Sequence, residues 1–313
     1  MKYIFLSYLN RSGSTYLANL LSRSPEICVC PEAEILYELL LVKTALIISK
    51  KKAIKFEKIL REDKKLKLWR ICSKQLITAD KSCFENFLEI LNTYRGIHYP
   101  DAEIILFKHN YLFNLEHHFK LIDCFLINLI RDPRGIYTSQ KNTISPVTKK
   151  PFSRNVLAFS DSWNKLLMGI LKIQDIRSAI TIRYEDLINE TDEIMDKLTI
   201  QFNLKERWDK FKLNPSQLIK WISPEYRIIH PYIDELPKPS SINKWQVLIN
   251  EYELKVLNNN IVQNKFYPQI SKMKQSKSYG LYILILRFDR KVIYIKSLIL
   301  KKLRLLYKLC LRA

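Results

Sequence analysis

Glycine is scarce in this sequence, and the patterns that would indicate a bound metal or a disulfide framework are missing. There are five glycines among 313 residues. The six cysteines are dispersed without paired C-x-x-C spacing, which is typical of free thiols in a reducing compartment. Apart from the adjacent His117 and His118, the five histidines show no metal-ligand spacing. The side chains of this adjacent pair would point apart on any regular element. We therefore expect no bound metal, and we predict a cytoplasmic protein.

Long apolar runs and acidic residues are also in short supply. No stretch reaches the roughly 18 uncharged apolar residues that a membrane-spanning helix needs. The apolar run that begins at Tyr3 is too short for a signal peptide, and a polar loop follows it at once. Only 31 Asp and Glu stand against 52 Lys and Arg, so the net charge is +21. Such a surface attracts nucleic acid, anionic membranes or acidic small molecules.

One of the few glycines lies in a polar turn near the start of the chain. Residues 3–9 form a short apolar run typical of a buried strand, and residues 16–21 have the apolar spacing of a helix. A glycine lets the backbone bend sharply, and a helix that begins after a tight loop points N–H groups and its positive dipole end at one spot. The turn is therefore a candidate anion site. It reads Asn10-Arg11-Ser12-Gly13-Ser14-Thr15.

The residues of this turn favour a tetrahedral oxyanion. Arg11 offers a planar fork of donors. Hydroxyl donors without charge come from Ser12, Ser14 and Thr15. A nucleoside-triphosphate loop would need a second glycine and a lysine, and both are missing here. The turn resembles the 5′-phosphosulfate loop of the sulfotransferases that use 3′-phosphoadenosine 5′-phosphosulfate (PAPS). An ordinary strand, turn and helix with a serine N-cap is the alternative interpretation.

Two later strand-like runs end in basic residues. One ends at Lys108, and another, residues 125–130, is followed by Arg131. Pro133 suits the first turn of the next helix, on which Ser139 would lie about two turns beyond Arg131. In the sulfotransferase family, a strand that ends in arginine is similarly followed by a helical serine, and the two hold the 3′-phosphate. The resemblance implies these roles for Arg131 and Ser139.

Two more segments resemble the family. Residues 183–187 are similar to the segment after a strand whose tyrosine lies near the adenine, which implies that role for Tyr184. Residues 241–245 resemble the late loop that closes over the cofactor. This likeness implies cofactor contacts for Ser241, Lys244 and Trp245. Because the motifs follow the family's order, the chain is identified as a PAPS-dependent sulfotransferase. Its motif layout is most similar to the carbohydrate and protein-tyrosine branches.

The resemblance implies in-line transfer of a sulfuryl group to an acceptor hydroxyl or amine, with a glycan as the expected acceptor and no nucleic acid partner. Arg11 and Lys108 would stabilise the charge that develops on the leaving phosphate oxygen. Glu32 occupies the place of the glutamate base of the protein-tyrosine and glycan branches. The small-molecule branch instead uses a histidine near the end of a middle strand, so His109 is the competing candidate.

The order of elements predicts an α/β fold. Strand-like and helix-like segments alternate, which is typical of a central parallel sheet in a P-loop-like three-layer α/β/α architecture. Two of the predicted helices span residues 33–49 and 245–257. We predict a sulfotransferase domain over residues 1–270 and a basic amphipathic C-terminal extension over residues 271–313. Its last part, residues 287–313, either contacts an anionic membrane peripherally or packs on its own domain.

Two other functions stay open from the sequence alone. A P-loop-like nucleotide kinase or NTPase fits the strand, loop and helix at the start of the chain but lacks the lysine of its loop. A non-enzymatic basic module fits the positive charge, and it would bind nucleic acid or membranes with a steep dependence on salt.

Overall fold

The central feature of the protein is a parallel β-sheet. The computed structural model describes residues 1–41, 47–110, 112, 122–146, 148–173, 179–217, 227–229, 235, 239–270, 273, 282–289 and 291. The described residues form a sheet of five strands, which are β1 (Lys2–Tyr8), β2 (Ile27–Val29), β3 (Ile104–Asn110), β4 (Cys124–Ile130) and β5 (Ala179–Arg183). Their order is β2-β3-β1-β4-β5, and every pairing is parallel. The predicted parallel sheet is confirmed.

The register of the sheet brings the predicted site segments to one edge. The central strand β1 ends at Tyr8, which lies opposite Asn110 of β3 and Leu129 of β4. Because the strands run parallel, the residues that follow them gather at the carboxyl edge, where ligands bind in open α/β sheets. The loop after β1, the end of β3 and Arg131 after β4 therefore share this edge.

Helices precede, connect and follow the strands. They are α1 (Ser14–Leu21), α2 (Glu34–Leu41), α3 (Lys50–Glu62), α4 (Lys64–Lys67), α5 (Cys83–His98), α6 (Pro133–Asn142), α7 (Val156–Ile173), α8 (Tyr184–Asn189), α9 (Thr191–Phe202), α10 (Trp208–Phe211), α11 (Trp245–Leu248) and α12 (Glu251–Asn260). Residues 239–241 form a 3-10 turn, and residues 282–289 are helical. Pro133 starts α6, as its position after β4 predicts.

Apolar side chains bury both faces of the sheet. Tyr3 and Phe5 of β1 belong to one buried cluster, which α5 helps to form. Ile4 and Leu6 project to the opposite face and join a second cluster with α1 and α9. Helices thus cover the sheet on both sides, as the predicted three-layer architecture requires.

Two of the helices predicted from the sequence differ in the structure, one because it is shorter and the other because it is divided. The helix predicted over residues 33–49 is α2, which ends at Leu41, and residues 47–49 are not helical because Ile47 makes a β-bridge with Ser82. The helix predicted over residues 245–257 is divided into α11 and α12. A capping box causes the division, because the Asn250 side chain accepts from the Glu253 N–H and the Glu253 side chain accepts from the Asn250 N–H.

The chain divides into two compact units. The first comprises residues 1–131 and 166–242 and contains the whole sheet. The second comprises residues 132–165 and 243–313 and contains α6, α11 and α12. Within the second unit, Glu253 of α12 accepts hydrogen bonds from Tyr137 and Lys141 of α6, at 2.7 and 2.8 Å.

The C-terminal extension lies mostly outside the described residues. The amphipathic helix over residues 287–313 and the domain boundary at residue 270 therefore stay predictions. Among the helices that the structure describes, none is long and apolar enough to cross a bilayer.

Candidate active site

The turn between β1 and α1 has an unusual backbone. Arg11 and Gly13 both adopt left-handed conformations, with φ of 74° and 92°. This conformation is uncommon for an arginine and costs a glycine little. Between them, Ser12 donates its N–H and its hydroxyl to the carbonyl of Leu9, at 3.0 and 2.6 Å. The side chain predicted to bind the anion thus stabilises the turn itself.

Tyr184 packs directly against this turn. A Cβ atom at position 13 would lie 2.3 Å from Cδ2 of Tyr184, so only glycine leaves room for the ring. The guanidinium carbon of Arg131 lies 4.2 Å from the centroid of the same ring, an attractive cation–π distance. Arg131 Nη1 also donates to the Arg11 carbonyl at 2.9 Å. The loop, the start of α8 and the residue after β4 therefore form one packed group.

The two arginines predicted to hold opposite ends of the donor lie on the same edge of the sheet. Burial and the positive charge of Arg131 lower the pKa of Arg11. Arg11 Nη1 also donates to the Ile229 carbonyl at 3.2 Å. The positive charges of Arg11 and Arg131 interact, and such a pair of like charges favours an anionic ligand between or beside them.

A second group of side chains links the loop to the end of β3. Lys108 is only 4% exposed, and its Nζ lies 2.5 Å from Glu32 Oε1 and 3.5 Å from Thr15 Oγ1. The Tyr8 hydroxyl donates to the same Glu32 Oε1 at 2.6 Å. Burial by itself would raise the pKa of Glu32, but the Lys108 ammonium and the two hydrogen bonds lower it to about 2. Glu32 is therefore ionised at neutral pH.

Tyr8 is a member of this group that the sequence motifs do not predict. It is the last residue of β1 and belongs to an almost continuously buried run. Burial and the neighbouring Glu32 raise the pKa of Tyr8 well above its usual value, so the phenol stays protonated. The only signal in the sequence is its position at a strand end, just before the loop.

His109, the competing candidate for the base, projects to the other side of the sheet. Side chains alternate along a strand, so Lys108 and His109 point to opposite faces. The His109 ring stacks on Tyr37, with 4.1 Å between ring centroids. Burial lowers the pKa of His109. Of the two candidates, Glu32 is the one that contacts Lys108.

The remaining predicted cofactor residues lie on later elements. Ser139 is on α6, Lys244 is exposed, and Trp245 begins α11. The Trp245 ring lies 4.1 Å from the guanidinium carbon of Arg134. The hydroxyl of Ser241 is buried and has no hydrogen-bond partner among the described residues. A buried hydroxyl of this kind is suited to bind a ligand oxygen.

Comparison with known proteins decides the family. A profile of the Sulfotransferase family matches residues 4–210, which is more than half of the chain. The chain belongs to the sulfotransferase family. This sulfotransferase also shares its fold with the sulfotransferase domain of the Synechococcus PCC 7002 olefin synthase, with a TM-score of 0.54 and 15% identity over 80% of this chain and 89% of that one.

Two further solved structures are similar to this sulfotransferase. The sulfotransferase domain from the curacin biosynthetic pathway has a TM-score of 0.48 and 16% identity, over 80% of this chain and 92% of that one. Mouse sulfotransferase SULT7A1, complexed with PAP, has a TM-score of 0.48 and 13% identity, over 86% of each chain. A sequence search of curated proteins finds no match.

Family membership settles the choice among the functional classes that the sequence left open. The sulfotransferase is an enzyme, rather than a nucleotide kinase or a non-enzymatic basic module. Within the described residues, no group of three or more His, Cys, Asp or Glu side chains is placed to hold a metal ion. The groups at the carboxyl edge are instead two guanidiniums, an ammonium and an ionised carboxylate, which suit anion binding and proton transfer.

Proposed function

We propose that this sulfotransferase moves a sulfuryl group from PAPS to a hydroxyl, or an amine, of an acceptor, with Glu32 as the base. The observation that carries the proposal is the position of Lys108. Its ammonium lies within hydrogen-bonding distance of both Glu32 and Thr15. A cation, a carboxylate and the start of α1 are therefore close enough to act on one reacting group.

The residues at the carboxyl edge fit an adenosine donor with phosphates at two positions. The neighbouring guanidiniums of Arg11 and Arg131 and the unpartnered hydroxyl of Ser241 are the observations that support this fit. The proposed ligands of the 5′-phosphosulfate are Arg11, Ser12, Gly13, Ser14 and Thr15. Those of the 3′-phosphate are Arg131 and Ser139, and those of the adenosine and its closing loop are Tyr184, Ser241, Lys244 and Trp245.

The donor supplies an activated sulfuryl group, and the side chains supply charge and a proton acceptor. As the acceptor oxygen bonds to sulfur, the bond from sulfur to the bridging phosphate oxygen breaks, and its electron pair stays on the phosphate. Arg11 and Lys108 stabilise the charge that develops there. The proton of the acceptor hydroxyl passes to Glu32. The proposed arrangement does not call on a metal.

A glycan is the acceptor class that we propose, because the segment from Arg11 to Glu34 resembles that of the glycan and protein-tyrosine branches. The five cysteines that the structure describes are free thiols, which supports a cytoplasmic enzyme. The basic residues 287–313 support peripheral contact with an anionic membrane.

Donor identity is tested by calorimetric titration with adenosine 3′,5′-bisphosphate (PAP), which needs no acceptor. We expect the wild type to bind PAP and Arg131→Ala to bind about tenfold more weakly or worse, because it loses charge-assisted hydrogen bonds. Arg207→Ala is the control, since Arg207 is exposed and precedes α10. Equal affinities for all three proteins, or no binding to the wild type, would contradict the proposed donor site.

The base is tested by transfer of labelled sulfate from PAPS to a panel of glycans and other hydroxyl-bearing acceptors. Glu32→Gln should lower the turnover by about 100-fold or more, as expected for loss of a general base, and should keep PAP affinity. Glu34→Gln is the matched control, because Glu34 is exposed and pairs with Lys65 at 2.7 Å. Full activity of Glu32→Gln, with loss of activity in His109→Gln, would transfer the role to His109.

A further inference from the structure

The carboxylate of Glu32 is held through one of its two oxygens. Lys108 Nζ and the Tyr8 hydroxyl both bind Oε1, at 2.5 and 2.6 Å. Among the described residues, no hydrogen bond reaches Oε2, and the Glu32 side chain is 32% exposed. Oε2 is therefore the oxygen left to receive the proton of an acceptor hydroxyl.

Lys108 has two tasks that compete for one ammonium group. In this structure it binds Glu32, and it also lies 3.5 Å from Thr15 Oγ1 at the start of α1. Stabilising the leaving phosphate oxygen would draw Nζ toward the loop. All three N–H donors of an ammonium sit on one nitrogen, so any such movement lengthens and weakens the contact with Glu32.

Tyr8 does not share this conflict. The side chain is 3% exposed and belongs to the central strand, so its position is determined by packing. Its hydroxyl donates to Glu32 Oε1. The ring also lies 5.6 Å from Lys108 Nζ, measured to its centroid. Tyr8 thus links the end of β1, which leads into the proposed phosphosulfate loop, to the carboxylate independently of Lys108.

We propose that Tyr8 is a positioning residue that keeps Glu32 oriented, with Oε2 toward the acceptor, when Lys108 turns to the donor. The inference rests on the proposed role of Glu32 as the base. Tyr8 touches neither the donor nor the acceptor in this scheme, and it acts through the hydrogen bond to Oε1. Loss of the Lys108 contact also raises the pKa of Glu32 and so makes the carboxylate a stronger base. The hydrogen bond from Tyr8 remains.

Tyr8→Phe tests this role, because it removes the hydroxyl and keeps the ring. The turnover should fall about tenfold, as expected for loss of a hydrogen bond to a charged group, with little change in the KM for PAPS. The acidic limb of the pH profile of turnover should move to higher pH, because the Glu32 anion loses a donor. Tyr3→Phe is the matched control, since the Tyr3 hydroxyl accepts from Asn92, outside the Glu32 group, at the other end of β1. An unchanged turnover and pH profile in Tyr8→Phe would overturn the proposal.

A readout that does not depend on activity separates this inference from the proposed function. Carbon-13 NMR of labelled glutamates, with Glu32→Gln for assignment, follows the titration of Glu32 with and without PAP. We expect Tyr8→Phe to raise the pKa of Glu32, and to raise it further when PAP is bound. An identical Glu32 titration in the wild type and Tyr8→Phe would overturn the proposed role of Tyr8 and would leave the proposed function of the enzyme untouched. Failure of the wild type to bind PAP would overturn the donor proposal, and the titration of the free enzyme would still decide whether Tyr8 holds Glu32.

Discussion

At the residue scale, Gly13 is constrained by its backbone and by its neighbour. Gly13→Ala would place a methyl group on a left-handed backbone and 2.3 Å from the Tyr184 ring. We expect it to lower the free energy of unfolding by about 1–3 kcal/mol, from backbone strain, and to weaken PAP binding because the loop shifts. Urea unfolding and calorimetry measure the two effects.

Gly96 supplies the control for this substitution. It lies on α5, and a Cβ atom there would have no heavy atom within 4 Å. Gly96→Ala should therefore leave PAP binding unchanged and stabilise the fold by up to about 1 kcal/mol, since alanine favours helix. A Gly13→Ala protein as stable as Gly96→Ala would show that the loop adapts without strain.

The ion pair of Glu32 predicts a defined dependence of stability on pH. Its pKa in the folded state is about 2, below the ordinary value of 4.5. A carboxyl whose pKa is depressed stabilises the fold above its unfolded pKa, and this contribution is lost as the pH falls toward the folded pKa. The difference in unfolding free energy between the wild type and Glu32→Gln should therefore be largest at neutral pH, with the wild type the more stable protein.

Urea unfolding of both proteins between about pH 6 and about pH 3 measures this difference, which should stay nearly constant at the upper end of the range and shrink once the pH falls below the ordinary pKa of 4.5. A difference that stays constant with pH would mean that the ion pair with Lys108 does not stabilise the folded state.

At the scale of secondary structure, Glu253 joins two helices of the second unit. It is 4% exposed, takes part in the capping box of α12, and accepts from Tyr137 and Lys141 of α6. Glu253→Ala should cost about 2 kcal/mol or more of unfolding free energy, because it removes the acceptor of the buried Tyr137 hydroxyl. Glu251→Ala on the same helical turn should cost about 0.5 kcal/mol, since the Glu251 side chain is exposed where it pairs with Lys255. Equal losses in the two variants would contradict a linking role for Glu253.

The elements also show where sequence patterns succeed and where they stop. The strands β1, β3 and β4 follow from apolar runs, and the start of α6 follows from Pro133, because these signals are local. The division between α11 and α12 escaped the prediction since apolar spacing continues across it. The reciprocal bonds of Asn250 and Glu253 outweigh that spacing and begin a new helix.

At the scale of the whole molecule, the net charge of +21 opposes compaction. Raising sodium chloride from about 0.05 M to about 0.5 M should raise the urea midpoint, because the Debye length falls well below the size of the protein. Sodium sulfate at equal ionic strength should stabilise the wild type further if its carboxyl-edge cations bind sulfate. Arg131→Ala should lack most of this additional gain.

Salt that lowers the midpoint would show that attractive ion pairs outweigh the repulsion. Equal effects of chloride and sulfate in both proteins would argue against specific anion binding at the carboxyl edge.

The sequence by itself determined the alternating strands and helices, the polar turn between the first strand and the first helix, and the two strand-end cations, because periodicity and turn chemistry depend on neighbouring residues. Only the tertiary structure decided which side chains meet. Tyr8 and Glu32 are 24 residues apart and Lys108 is 76 residues beyond Glu32, and the three converge on one oxygen. Such contacts depend on strand order and register, which local patterns do not specify, and the pairing of Tyr184 with Gly13 depends on them in the same way.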